Sequence, residues 1–404
     1  IAPATRDDID LWVDAPREPT DDDPLELVTK VLRGRDGPVV STDKPQRFDS
    51  SGRVRTPVSL SAPSEEGVYE LVLSVREPPG FSRRFFPQGE AEPLLERRVQ
   101  ILVVDPAVVP DRLPATLDGW RVVNEPLRSS ATTRDRLSAW TRWPGSETRP
   151  EPRADATPIL GGRWRLEPAA APHQAGWHEL PLTLPTAAEP MLIEVATPAA
   201  SPQLLGLTVL DSEGGELKPI GEPLLVAPTL WPAERDTRVT RWFVWPRTTS
   251  PVLVVANPSA THAAEFGDVR VYQPKERLAR ADPGVASARK VALDVRSTDV
   301  IARFAASRDT DAETGVRYAD LQTLWQVARR IADEVEAQGA NTAIVAANTD
   351  GAAWYETQVL GASPRHDLGA WVQGTNDLPR RPLLSLLLRE FQRRGLSLVP
   401  SLDL

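Results

Sequence analysis

The chain contains no cysteine. That excludes disulfides, thiolate metal sites and a cysteine nucleophile, and it leaves the compartment open, because a large domain can be exported without bridges. Lysine is nearly absent beside arginine, 5 against 42, a bias of genome composition rather than of function. The formal net charge of −9 is the wrong sign for a general nucleic-acid binder, which would show a basic stripe. No apolar run reaches eighteen residues, so no membrane-spanning helix is expected. Neither a G-x-G-x-x-G phrase nor a Walker loop occurs, which removes support for a nucleotide cofactor. His173, His178 and His262 lie singly, too scattered for a metal site with local spacing, and His366, between Arg365 and Asp367, reads as a loop brace, so no metal or cofactor is expected.

What the chain has in excess is proline, 40 residues in 404, concentrated in its first three quarters. Proline ends helices and is kept out of central strands, so this much of it implies many turns and sheet edges. A length of 404 residues allows two to four domains with sizeable cores.

Residues 1–26 hold nine acids against Arg6 and Arg17, the composition of an acidic tail or linker. From 27 to 106 short β-patterned runs are separated by turn residues. In Gly67–Val75, Tyr69, Leu71, Leu73 and Val75 fall on one face and Val68, Glu70 and Val72 on the other. With the apolar run Arg97–Asp105 after it, this reads as the closing strands of an immunoglobulin-like β-sandwich. Residues 107–160, rich in Pro, Arg and Trp, read as an irregular connector. From 161 to 275 seven runs of five to eight residues, rich in Leu, Val, Ile and Trp, are each bounded by Pro, Gly, Asp or Asn. That regular punctuation predicts a jelly-roll-like two-sheet sandwich.

Residues 276–317 read as a charged connector, and from 318 to 404 the pattern changes period. Leu321, Leu324, Trp325, Ala328, Ile331, Ala332 and Val335 recur at steps of three and four, an amphipathic helix closed by Gly339. The apolar phrase NTAIVAAN follows as a strand buried on both faces. Helix, glycine and strand then repeat through RRPLLSLLLREFQRRG and LSLVPSLDL. The chain begins at Ile1 without an initiator Met or signal segment, and the repeat stops as its second strand ends. It therefore reads as an internal piece of a longer protein.

These last ninety residues resemble the opening of the family-10-like glycoside hydrolases, which are (β/α)8 barrels. The phrase Gly339-Ala340-Asn341 before the first strand carries the resemblance, with Leu387, Phe391, Arg394, Gly395, Leu396 and Val399 around the second. A long first loop spans Ser363–Trp371. The sandwiches before it are similar, more loosely, to non-catalytic domains that precede such barrels. The resemblance implies the first two units of a truncated barrel in an extracellular or periplasmic, polysaccharide-degrading protein of bacteria. Hydrolysis would use two carboxylates, with the catalytic residues expected beyond Leu404 and this piece inactive. In such a barrel the strand ends meet substrate. That makes Asn348, Asp350, Trp354, Tyr355 and Asp403 candidates for contact with a polysaccharide or oligosaccharide, although Asn348, Asp350 and Gly351 could equally form a turn. In the sandwich Trp242 and Trp245 are three apart, so one ring must leave the core. That ring is either a glycan platform or a packing surface for a neighbouring domain. The competing class is a non-catalytic glycan-binding or envelope scaffold.

Overall fold

The computed structural model describes residues 6–14, 25–34, 37–43, 45–48, 53–78, 93–123, 157–159, 163–168, 176–187, 189–199, 203–213, 216–226, 237–279, 289–295, 303–304, 321–349, 352–353, 355, 361–362, 371–372, 375–376 and 383–402. These form a β-rich, multidomain chain with two α-helices among the described residues.

The first body has strands β1 (Arg6–Asp14), β2 (Leu25–Arg33), β3 (Val39–Thr42), β4 (Gln46–Phe48), β5 (Arg53–Ser61), β6 (Gly67–Arg76) and β7 (Leu95–Val103). One antiparallel sheet runs β3-β2-β6-β7 with β4 also on β2, and β1 pairs with β5. The alternation expected in β6 holds. Tyr69, Leu71, Leu73 and Val75 join Leu25, Leu27, Val31 and Val103 in one apolar core. Val68 points the opposite way and joins Leu102 and Val104 in a separate cluster. The acidic segment 1–26 is not wholly a tail or linker. Ile9, Leu11 and Val13 recur at every second position, and the nine-residue strand β1 pairs along β5. The acid count obscured a strand pattern.

The second body contains β8 (Trp120–Val122), β9 (Thr157–Ile159), β10 (Arg163–Leu166), β11 (Gly176–Pro181), β12 (Met191–Pro198), β13 (Leu205–Glu213), β14 (Glu216–Val226), β15 (Thr237–Val244), β16 (Val252–Asn257), β17 (Ala264–Phe266) and β18 (Val269–Pro274). Two four-stranded antiparallel sheets run β11-β16-β13-β14 and β15-β12-β18-β8, beside a three-stranded sheet β17-β10-β9. Met191, Ile193, Val195, Trp242 and Val244 from one large sheet meet Leu205, Leu207, Val209, Leu253 and Val255 from the other in a shared core. Residues 107–160 are thus not irregular throughout, since β8 adds to the edge of a sheet through β18. Strand β14 contains Pro219 and Pro223, and it lies at a sheet edge, where proline is tolerated.

The third body holds β19 (Ala292–Val295), helix α1 (Leu321–Ala337), β20 (Thr342–Ala346), helix α2 (Leu383–Arg393) and β21 (Ser397–Ser401). The strands form a parallel sheet in the order β19-β20-β21. The expectation of two barrel units is corrected here. The described residues give an open three-stranded sheet with edges at β19 and β21, and no barrel. Its extra strand, β19, comes from the segment read as connector.

Both helices stop at a glycine in the left-handed region, Gly339 at φ 69° and Gly395 at φ 66°. Ala340 N–H reaches back to Val335 O at 2.9 Å, and Leu396 N–H to Phe391 O at 2.9 Å, the closing bonds of Schellman caps.

Both faces of the β15-β12-β18-β8 layer carry buried apolar residues. Its inner face lies in the sandwich core, while Trp120, Leu192, Phe243, Trp245 and Tyr272 on its outer face share one cluster with Phe304, both helices and the parallel sheet. The second sandwich and the β/α body are therefore joined through a common apolar core.

Candidate functional site

Parallel strands that end at the same level bring their following segments together. Ala346 pairs with Ser401, and Ala347 N–H donates to Ser401 O at 2.8 Å, so β20 and β21 finish side by side. The chain leaving β20 turns back at once, because Asn348 pairs with Ala353 and Thr349 with Ala352 in a two-residue antiparallel bridge. Asn348 and Tyr355 are both half-buried on this excursion. An amide that donates and accepts, with a phenol close by in the chain, suits the hydroxyls and apolar face of a sugar. Ligands of open parallel sheets bind outside the carboxyl ends of strands, which is where this edge lies. Of the other residues expected here, Asp350, Trp354 and Asp403 lie outside the described residues.

The opposite edge is structural. Asn341 Oδ1 accepts from Val291 N–H at 2.9 Å, and its Nδ2 donates to Arg289 O at 2.7 Å. Its backbone carbonyl accepts from Ser397 N–H at 2.9 Å. One side chain and its peptide thus tie the starts of all three strands. The Gly339-Ala340-Asn341 phrase is a cap followed by a strand tie, positioned away from the carboxyl edge.

The tryptophan expectation resolves at Trp242 and Trp245. Alternation does place them on opposite faces: Trp242 is 9% exposed within the sandwich core, and Trp245 is 2% exposed on the outer face. The outward ring meets protein. Trp245 packs on Phe304 at 5.5 Å between centroids, with the Arg330 guanidinium 5.5 Å from its ring centre. Neither ring offers an open face: Trp242 is enclosed by the sandwich core and Trp245 by the β/α body. Trp164 is likewise engaged, stacked on the buried His178 at 5.1 Å.

A network of buried charges joins the two helices, and of its members sequence reading named only Arg394. The Arg394 side chain is fully buried, 2.6 Å from Asp333, 3.1 Å from Glu336 and 3.5 Å from Glu390. Burial works to lower its pKa, but these carboxylates outweigh that and hold it above its ordinary value. Asp333 also pairs with Arg277 at 3.3 Å, which in turn reaches Glu189 at 3.2 Å. The neighbouring Arg393 contacts Glu390 at 3.1 Å and Glu66 at 2.8 Å. Burial raises the pKa of Glu334, with Arg303 and Gln338 partly offsetting it. A signal was available in the sequence: Glu390, Arg393 and Arg394 stand at helical steps of three and four. No group of three or more possible metal ligands occurs among the described residues.

No protein-family model matches the chain. No curated protein matches it either. Among solved structures, a family GH115 4-O-methyl-alpha-glucuronidase with specificity for decorated arabinogalactans is 15% identical at a TM-score of 0.22, covering 30% of this chain and 16% of its own. The tandem CBM22 domains of Paenibacillus barcinonensis Xyn10C are 12% identical at a TM-score of 0.21, covering 68% of this chain and 80% of theirs. Tripeptidyl peptidase 2 is 10% identical at a TM-score of 0.19, covering 68% of this chain and 18% of its own. Glycan-acting proteins and a peptidase thus stand together. At these scores none carries an argument about what this chain does.

Proposed function

We propose that this chain belongs to a glycan-acting protein of the glycoside-hydrolase kind. Its β/α body meets the sugar at the carboxyl edge of the parallel sheet. An immunoglobulin-like and a jelly-roll-like sandwich position that body. The observation that carries this reading is the common end of β20 and β21, with the Asn348 excursion leaving from it. The residues assigned to sugar contact are Asn348, Asp350, Trp354, Tyr355 and Asp403, and the resemblance of residues 318–404 supports the class of ligand. Hydrolysis requires a carboxyl on each side of the scissile bond. The segments 348–355 and 402–404 supply one carboxylate each, Asp350 and Asp403, and both are assigned to binding. The partner is an oligosaccharide or polysaccharide, met outside the cell or in the periplasm.

The purified chain is therefore expected to bind at least one member of a plant and bacterial polysaccharide panel in affinity electrophoresis, and to release no reducing sugar from any. Replacing Asn348 and Tyr355 together by Ala should remove the retardation with little change in melting temperature. No retardation by any panel member, or retardation that survives the double replacement, would count against the assigned edge. Released sugar would move Asp350 and Asp403 from binding to catalysis.

A further inference from the structure

The two sandwiches are held to the β/α body in different ways. The second shares a large apolar core with it, described above. Among the described residues the first meets it through a smaller patch, in which the Trp325 ring of α1 packs with Val68, Leu102 and Val104, and Trp371–Val372 also lies against β7. Around that patch the polar contacts converge on two residues of α2. Trp325 Nε1 donates to Glu390 Oε1 at 3.1 Å, and Arg393 Nη1 donates to the same oxygen at 3.1 Å. Arg393 Nη2 donates to Glu66 Oε1 at 2.8 Å, and its Nε and Nη2 both reach Val108 O, at 3.0 and 2.8 Å. Glu66 Oε1 also accepts from Asp105 N–H at 2.7 Å. Leu321 N–H donates to Gln100 Oε1 at 2.8 Å.

Arg393 thus grips three things at once: the β5–β6 turn of the first sandwich, the chain leaving that sandwich, and the helix acid that orients Trp325. The far end of that exit segment is pinned separately, because Arg112 and Leu278 exchange backbone hydrogen bonds at 3.0 and 2.9 Å. Between Asp105 and Arg112 the exit segment is largely exposed, and Val108 is 49% exposed even though its carbonyl is held.

We propose that Trp325, Glu390 and Arg393 form a latch that docks the first sandwich on the β/α body. Opening it lets the first sandwich pivot about residues 105–112 while the other two bodies stay joined. The asymmetry supports this: a small apolar patch cannot replace a buried guanidinium that satisfies two carboxylates and a carbonyl. Interfaces of this limited, polar kind permit relative domain motion, whereas large apolar ones do not.

The cysteine-free chain allows the test directly. Cysteines introduced at Val39 on β3 and Val399 on β21, which are 54% and 46% exposed, take spin labels for double electron–electron resonance on the full chain. The unaltered background should give one narrow distance peak. Glu66→Ala, whose side chain is 27% exposed, and Arg393→Met should each lose that single peak and give a broad distribution, with far-UV circular dichroism unchanged. A narrow, unshifted peak in folded Glu66→Ala would overturn the proposal. That holds also if Arg393→Met alone misfolds, since Arg393 would then be only a core residue. Broadening in Glu66→Ala supports the latch whatever Arg393→Met does.

Discussion

Trp245→Ala should destabilise the chain by about 3–5 kcal/mol, the cost of truncating a fully buried aromatic, and should leave glycan retardation intact. The ring sits at the centre of the cluster that joins the second sandwich to the β/α body, against Phe243, Phe304 and the Arg330 guanidinium. Removing it leaves a cavity between two bodies that cannot close without sliding a helix over a sheet. Loss of melting temperature should therefore appear in both bodies together, read by hydrogen exchange in β15 and α1. A platform tryptophan would behave the opposite way, with stability retained and binding lost. That pattern would contradict the packing described for Trp245.

Arg394→Leu should cost about 3–5 kcal/mol, because it removes a buried cation that faces three buried carboxylates at once. Asp333 keeps Arg277 as a partner, and Glu390 keeps Arg393 and Trp325, but all three lose the guanidinium that lies between them. Asp333, Glu336 and Glu390 are all 9% exposed or less, so water cannot easily take the place of the guanidinium. Arg394→Lys should recover only part of the loss, since a point charge cannot serve three carboxylates as a planar fork does. The check is urea unfolding of the two variants beside the parent chain. A midpoint for Arg394→Leu within error of the parent would show the network to be ornamental.

The sequence made some of this legible, for physical reasons. Period-two alternation identified β6 and both its faces, because Tyr69, Leu71, Leu73 and Val75 leave no other arrangement that buries them. The helical stripe of α1 and the capping role of Gly339 were equally plain. Several strands escaped, three of them for reasons visible in the sequence. In β1, Ile9, Leu11 and Val13 were outweighed by surrounding acids; in β14, Pro219, Gly221 and Pro223 broke the run; and β19 is only four residues long. The opposite faces of Trp242 and Trp245 followed from spacing, but the body that covers Trp245 is contributed by α1 and Phe304, far along the chain. The charge network is the extreme case. Glu66 and Arg393 are 327 residues apart, and nothing local to either records the other. At the candidate site, Asn348 and Tyr355 could be named from their position after a strand. That the strand beside them ends at the same level could be seen only from the register of β20 and β21.

The most direct test of the central claim is a crystal of the full chain soaked with the oligosaccharide that the panel selects. The account predicts a sugar ordered at the carboxyl edge of the parallel sheet, contacting Asn348 and Tyr355. A sugar ordered instead on a sheet face of the second sandwich, with none at that edge, would contradict it.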